Sequence, residues 1–248
     1  MKPRLLSCII PVFNGERYLS EALESIFAQT YRPLEIIVVD DGSTDGTAAS
    51  LTAYRGQITY LWQHNAGQAA ARNLGLRAAH GEFVAFLDAD DLWRPEKSAL
   101  QIARFQARPD LDLCVTHVQN FWSPELHQEE ARVRDHPLMQ ALPGYVAPAL
   151  MARWTLFESV GQFNIKLSHG SDMEWFMRAA EHGANMELLP DVLVYRRLHQ
   201  SNRSGTLASQ SRNEYAAIIK TSLDRRRSIN QDAPPPYKFP APHRDDKE

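Results

Sequence analysis

The chain has 248 residues, 44% of them hydrophobic and 23% charged, and a formal net charge of −3. That length can bury a sizeable core as one large α/β domain or two small ones. The acidic balance argues against a nucleic-acid partner, and no apolar run reaches membrane-spanning length, so the sequence leads us to expect a cytoplasmic protein with a peripheral membrane contact left open.

Residues 5–10 predict a first strand, and Pro11 is expected to end its pairing because proline has no N–H to donate. A tight turn over 12–16 follows, and Leu19, Leu23, Ile26 and Phe27 recur at helical spacing, predicting a helix to about Gln29. Residues 34–39 read as a second strand. The loop 40–46 that follows is rich in turn formers and offers N-caps for a helix through Tyr54. Residues 57–62 make a third strand, the loop 64–68 contains Gly67, and the next helix carries Arg72 and stops before Gly81. The run 83–87 is apolar throughout, as befits a strand buried on both faces. Strand and helix have then alternated four times, which is the pattern of a parallel sheet with right-handed crossovers. The polar loops at the carboxyl ends of such strands are expected to converge on one crevice.

Further along, the pattern gives a helix over 95–107, a strand over 111–118, and a long surface loop or flap over 120–143. A short helix over 153–160 is stopped by Gly161, another opens near Ser171 and runs through His182, and extended pieces cover 186–189 and 192–196. A last helix spans about 209–226, giving one domain over 1–228, and the tail 229–248 lacks the apolar content to fold alone. The two cysteines, Cys8 and Cys114, sit in apolar runs and read as buried free thiols.

Chemistry concentrates at the strand ends. Asp88, Asp90 and Asp91 fall within four positions, where like charges repel and unpaired burial is costly. Either a divalent cation such as Mg²⁺ or Mn²⁺ joins them, or they form an acidic turn capping the next helix; taken alone, the two readings weigh evenly. Asp40 and Asp41 could accept hydrogen bonds from a base or ribose, or cap their own turn. Arg72 could reach a diphosphate at its helix N-terminus, or be solvated. Asp172 and Glu174 open a helix, where one of them could act as general base or both could simply favour the helix dipole. His199 could ligate a metal or lie on the surface. The joint occurrence of these groups at consecutive strand ends favours a site.

The segments Ile10-Pro11-Val12-Phe13-Asn14-Gly15-Glu16, Val39-Asp40-Asp41-Gly42-Ser43-Thr44-Asp45, Asn65-Ala66-Gly67 with Ala71-Arg72-Asn73-Leu74-Gly75, and Leu87-Asp88-Ala89-Asp90-Asp91 together resemble the inverting family 2 glycosyltransferases of GT-A fold. The resemblance covers residues 5 to about 202. It implies an α/β fold with a mostly parallel central sheet and helices on both faces. It also implies a metal-dependent enzyme that moves one sugar from a nucleoside-diphosphate sugar, with UDP as the expected carrier, to an acceptor hydroxyl in polysaccharide or glycoconjugate synthesis. A nucleotide-binding part would span about 1–118 and an acceptor side about 119–204.

By the same resemblance, Pro11, Val12 and Glu16 would border base and ribose, Asn14 would belong to the same nucleotide-sugar site, and Asp40, with Asp41 beside it, would meet the uracil. Gly67 and Arg72 would lie on the base or diphosphate side, Asp88 would face the ribose next to Ala89, and Asp90 would bind Mn²⁺ or Mg²⁺ with His199 nearby. Asp172 matches the catalytic base. Many members have Glu-Asp where this chain has Ser171-Asp172, which keeps Glu174 as second choice. The Gln-x-x-Arg-Trp signature of processive synthases is absent, favouring single-sugar transfer to a carbohydrate or lipid-linked acceptor. A sugar nucleotidyltransferase would need a Gly-rich basic loop after the first strand, and a dinucleotide oxidoreductase would need G-x-G-x-x-G there. A non-catalytic nucleotide-sugar-binding module remains as the rival. Trp122, Tyr145, Trp154 and His169 could contact an acceptor sugar or merely pack.

Overall fold

The computed structural model describes residues 4–126, 140–200 and 208–229. Much of the expected flap, the tail from 230 and the end of the resemblance at Asn202 lie outside the described residues. The first half of the chain follows the expected alternation. It runs β1 (Leu6–Val12), α1 (Leu19–Phe27), β2 (Leu34–Asp40), α2 (Thr47–Ser50) with a 3₁₀ turn (Leu51–Tyr54), β3 (Thr59–Trp62), α3 (Gln68–Ala78) and β4 (Phe83–Phe86). These strands lie parallel in the order β3-β2-β1-β4. β1 and β4 are buried along their whole length, as strands covered on both faces must be, and α1 buries Leu19, Ala22, Leu23 and Ile26. The chain winds outward from β1 to β3 and then crosses back to β4, so β1 and β4 flank the point where winding reverses. Their carboxyl ends splay into a crevice.

Pro11 does not end β1. The Ile9 carbonyl accepts from Leu87 on the β4 side, whereas the Val12 carbonyl accepts from Asp41 on the β2 side. By alternation the missing N–H of Pro11 falls on the β4 side, where pairing has already stopped at Ile9 opposite Phe86, and β1 continues against β2 through Val12 opposite Asp40. α3 lies close on β1 because residue 75 is glycine: a Cβ there would stand 2.4 Å from the Ile9 Cγ2.

The second half adds β5 (Leu92–Trp93), α4 (Lys97–Ala107), β6 (Leu113–Trp122), β7 (Leu142–Pro143), a 3₁₀ turn (Ala147–Ala149), β8 (Leu150–Arg153), α5 (Trp154–Val160), α6 (Ser171–Glu181), β9 (Met186–Leu198) and α7 (Ala208–Ile229). Among the described residues the sheet continues β4-β8-β6-β9-β5, with β7 also on β6. β8 is antiparallel to β4 and β6, so the sheet is parallel in its first half and mixed in its second. The two extended pieces expected at 186–196 are one strand. A register shift between Val115 and His117 absorbs Leu189, Pro190 and Asp191. No described helix is long and apolar enough to cross a membrane.

Cys8 and Cys114 are buried free thiols, as expected, and burial pushes both up to about 12. Lys97 is fully buried near them. Its Nζ donates to Gln101 Oε1 at 2.8 Å and stands 4.0 Å from the centre of the Trp93 ring, and burial drives its pKa down to about 7 from 10.5. Between those two values the unfolded chain holds a proton that the folded chain does not, so this group's contribution to stability rises with pH across that window. Lys97→Met is therefore expected to gain on the order of 1–3 kcal/mol over the parent at pH 7. Urea unfolding at pH 7 and pH 10 should show that advantage shrinking as the pH rises; a constant difference would contradict the buried-lysine account.

Candidate active site

The loops after β1 and β2 interlock into one floor. Asn14 takes a positive φ of 54°, its N–H donates to Ser43 Oγ at 2.9 Å, and its Oδ1 accepts the Thr44 N–H at 2.8 Å. The Gly15 N–H donates to Thr47 Oγ1 at 2.8 Å, and Glu16 Oε2 accepts the Gly46 N–H at 3.0 Å. Above this floor opens a cleft of about 630 Å³ at the ends of β1 and β4. It brings together Pro11, Val12, Asn14, Asp41, Gly67, Asp88, Ala89, Asp90 and His199 from among the residues singled out in the sequence. Asp40 and Arg72 are buried behind its wall, and Glu16 is exposed and outside the lining. Asp40 is buried, with Oδ1 accepting from the Ser43 N–H at 2.8 Å and Oδ2 from the Tyr60 hydroxyl at 2.9 Å. Partial burial, and then Asp40 itself, push the Tyr60 phenol up to about 12, so it stays a donor.

Asp41 orders the loop in front of α3. Its Oδ1 accepts from Gln63 Nε2 at 2.7 Å and the Ala66 N–H at 2.8 Å, and its Oδ2 accepts from the Gly67 N–H at 2.8 Å. Gly67 has φ 90°, a conformation that favours glycine. Asp88, at the end of β4, accepts on Oδ1 from Gln68 Nε2 at 2.9 Å and from Arg72 Nη2 at 2.7 Å.

Arg72 is 1% exposed and bridges two halves of the site, for its Nη1 donates to Oδ1 of Asp172, a hundred residues away. Its buried Nε has no acceptor among the described residues. Burial works against the guanidinium's charge, but Asp172 and Asp88 outweigh it and raise the Arg72 pKa. Burial raises the Asp88 pKa; Arg72 opposes that shift, and Asp90 and Asp172 reinforce it. Asp172, in the first turn of α6, also accepts the Ala147 N–H on Oδ2 at 2.9 Å. Glu174 faces elsewhere: both its oxygens accept from Arg178 Nε, at 2.8 and 2.9 Å, and Arg225 lies 3.7 Å away.

On the other flank, His199 Nε2 stands 3.0 Å from Asp90 Oδ2. Asp91 does more than shape a turn. Its buried Oδ1 accepts the Arg197 N–H at 3.0 Å, tying the acidic turn to the end of β9, and burial followed by Asp90 and Asp88 lifts its pKa well above the usual range. Arg197 was given no role from the sequence. Its Nε donates to the Asp90 carbonyl at 3.0 Å, and its guanidinium lies 4.5 Å from the Tyr18 ring centre and 4.7 Å from that of Phe121. Gln68 and Tyr18, which also line the cleft, carried no sequence signal either. Of the aromatic acceptor candidates, Tyr145 and Trp154 pack against the core.

The donor chemistry fits a hard divalent cation. Among the described residues no three His, Cys, Asp or Glu side chains converge as a metal cage. Asp90 and His199, whose Oδ2 and Nε2 stand 3.0 Å apart, could nevertheless hold such an ion between them. Mg²⁺-type ions take few protein ligands and complete their shell with phosphate and water.

The Glycosyl transferase family 2 model matches residues 7–161. A glycosyltransferase of Rickettsia typhi is 32% identical over 228 residues, covering 86% of this chain and 70% of its own length. Glycosyltransferase GlyG of Streptococcus pneumoniae is 36% identical over 121 residues, covering 47% of this chain and 40% of its own. Among solved structures, Staphylococcus aureus TarS 1-349 in complex with UDP-GlcNAc aligns with a TM-score of 0.64 at 22% identity, covering 81% of this chain and 60% of that one. The mannosyltransferase PcManGT of Pyrobaculum calidifontis, in complex with GDP-Man and Mn²⁺, aligns with a TM-score of 0.64 at 23% identity, covering 94% and 66%. The chain thus spans less than two thirds of either solved structure, and at these identities the likeness establishes the shared GT-A fold.

Proposed function

The chain belongs to glycosyltransferase family 2 and is a nucleotide-sugar glycosyltransferase, and from that premise we propose that it transfers a single sugar with inversion from a UDP-sugar to an acceptor hydroxyl, with Asp172 as base and a divalent cation on Asp90 and His199. The observation that carries this reading is the bridge from Asp88 through Arg72 to Asp172, which sets the candidate base beside the candidate donor cleft. Asp88 accepts hydrogen bonds from the ribose. Asp90 and His199 would hold Mn²⁺ or Mg²⁺, which would supply positive charge against the negative charge developing on the departing diphosphate.

Asp172 takes the acceptor's proton. Its Oδ1 accepts from Arg72 and, at 3.4 Å, from the Ser171 hydroxyl, whereas among the described residues Oδ2 accepts only the Ala147 N–H and has a second lone pair to offer. Attack from the face opposite the leaving group inverts the anomeric carbon. Glu174 is buried and paired with Arg178, which favours Asp172 over it as the base. TarS binds UDP-GlcNAc and PcManGT binds GDP-Man, so the two carriers are the alternatives to compare, and uridine is our assignment. The acceptor is a carbohydrate or lipid-linked hydroxyl in polysaccharide or glycoconjugate synthesis.

A thermal-shift screen of UDP- and GDP-sugars with Mn²⁺ tests the donor side, because a ligand of the native state raises its apparent stability. A UDP-sugar should raise Tm only with Mn²⁺ present. Asp90→Asn should weaken Mn²⁺ binding by at least ~10-fold, the scale of losses at metal-site residues. Undiminished turnover in excess chelator would remove the cation from Asp90 and His199.

A further inference from the structure

α7 lies beyond the residues that the family model covers, and it fastens α6 at both ends. At the first end, Glu214 accepts three successive backbone N–H groups: Ser168 at 3.0 Å on Oε2, and His169 at 2.7 Å and Gly170 at 2.6 Å on Oε1. Buried Ile218 presses on Gly170, where a Cβ would stand 2.2 Å from its Cδ1. At the far end, Ser222 and Arg225 hold Glu181, with Arg225 Nε 2.7 Å from Oε2.

Helix N-termini leave backbone donors without intrahelical partners, and a side chain at the N-cap usually supplies the acceptor. Here the N-cap is Gly170, which has no side chain to do so. Glu214, from another helix, instead takes the N–H of Gly170 itself and those of the two residues before it. Burial works against the Glu214 charge, but the three amides outweigh it and hold its pKa below the usual glutamate value. The turn 168–170 is therefore clasped by one carboxylate, two residues before Asp172.

We infer that Glu214 is a positioning residue for Asp172: by clasping the turn that leads directly into the base's helix, it fixes the carboxylate for proton removal while touching nothing in the donor cleft. The inference rests on the reading of Asp172 as base. Its consequence is a split between turnover and donor binding, since displacing a reacting group by about 1 Å can cost ~10²-fold in rate. A clasp that only stabilised the fold would move Tm and leave turnover at saturation unchanged.

The test compares Glu214→Ala, Glu214→Gln and Arg225→Ala with the parent, reading UDP release from a UDP-sugar with Mn²⁺ and donor Kd by calorimetry. Glu214→Ala should lower kcat by about 10–100-fold with donor Kd within about 2-fold. Glu214→Gln keeps one acceptor oxygen and should recover part of that loss. Arg225→Ala loosens the far end of α6, where Ser222 still holds Glu181, and should lower Tm yet leave kcat within about 2-fold of the parent. If Glu214→Ala does not fold, Glu214→Gln alone decides, by whether kcat falls while Kd holds. Parental kcat in a folded Glu214 variant would overturn the inference, as would an Arg225→Ala variant that loses kcat as deeply. Should Asp172→Asn retain full activity, the base reading falls instead; should Asp172→Asn be inactive while the Glu214 variants turn over normally, only the clasp falls.

Discussion

Asp172→Asn should reduce turnover by about 10²–10⁴-fold, the usual range for a lost general base, while donor Kd stays near the parental value. The substitution preserves shape, and its one carbonyl oxygen can still accept from Arg72 or from the Ala147 N–H. Asp88 and Asp90, on the donor side, are untouched. What disappears is the carboxylate that removes the acceptor proton. Glu174→Ala makes the informative partner: it strips Arg178 of its i,i+4 partner and should cost stability with turnover near parental. The opposite pair of results would move the base to Glu174.

Arg72→Met should be the most destabilising single change in the site. Arg72 is 1% exposed and pairs with both Asp88 and Asp172, so its removal leaves two carboxylates facing each other without their cation. Removing one partner of a buried ion pair costs about 3–5 kcal/mol, which urea unfolding would read directly. Arg72→Lys separates charge from shape. A single ammonium cannot reproduce the planar fork that reaches both carboxylates, so this variant should fold and yet turn over about 10–100-fold more slowly. Arg72→Met as stable as the parent would mean that the bridge contributes nothing.

The first half of the fold was legible because four apolar strands alternate with helices of clear 3.6-residue spacing, and that alternation alone fixes where loops must gather. β5 escaped notice since two residues, Leu92 and Trp93, carry no periodicity. β9 looked like two pieces because Pro190 interrupts its pattern, and only the partner strand β6 shows the shifted register that bridges them. In the site, Asp90 and His199 were both nominated from sequence and meet at 3.0 Å. Arg72 was expected near the nucleotide, but its pairing with Asp172, a hundred residues on, has no local signature. The same holds for Glu16 and Asp40, whose hydrogen-bond partners Gly46 and Tyr60 sit in other loops and strands. Glu214 reads locally as a helix-surface acid; its three amides are 44 to 46 positions earlier.

The measurement that tests the account most directly is release of nucleoside diphosphate from nucleotide sugars, followed in parallel for the parent and Asp172→Asn under Mn²⁺ and under excess chelator. The account predicts Mn²⁺-dependent release of UDP by the parent from a donor that also raises its Tm, and binding of that donor without release by Asp172→Asn. A parent that binds the donor and releases nothing, or equal release by both proteins, would contradict it.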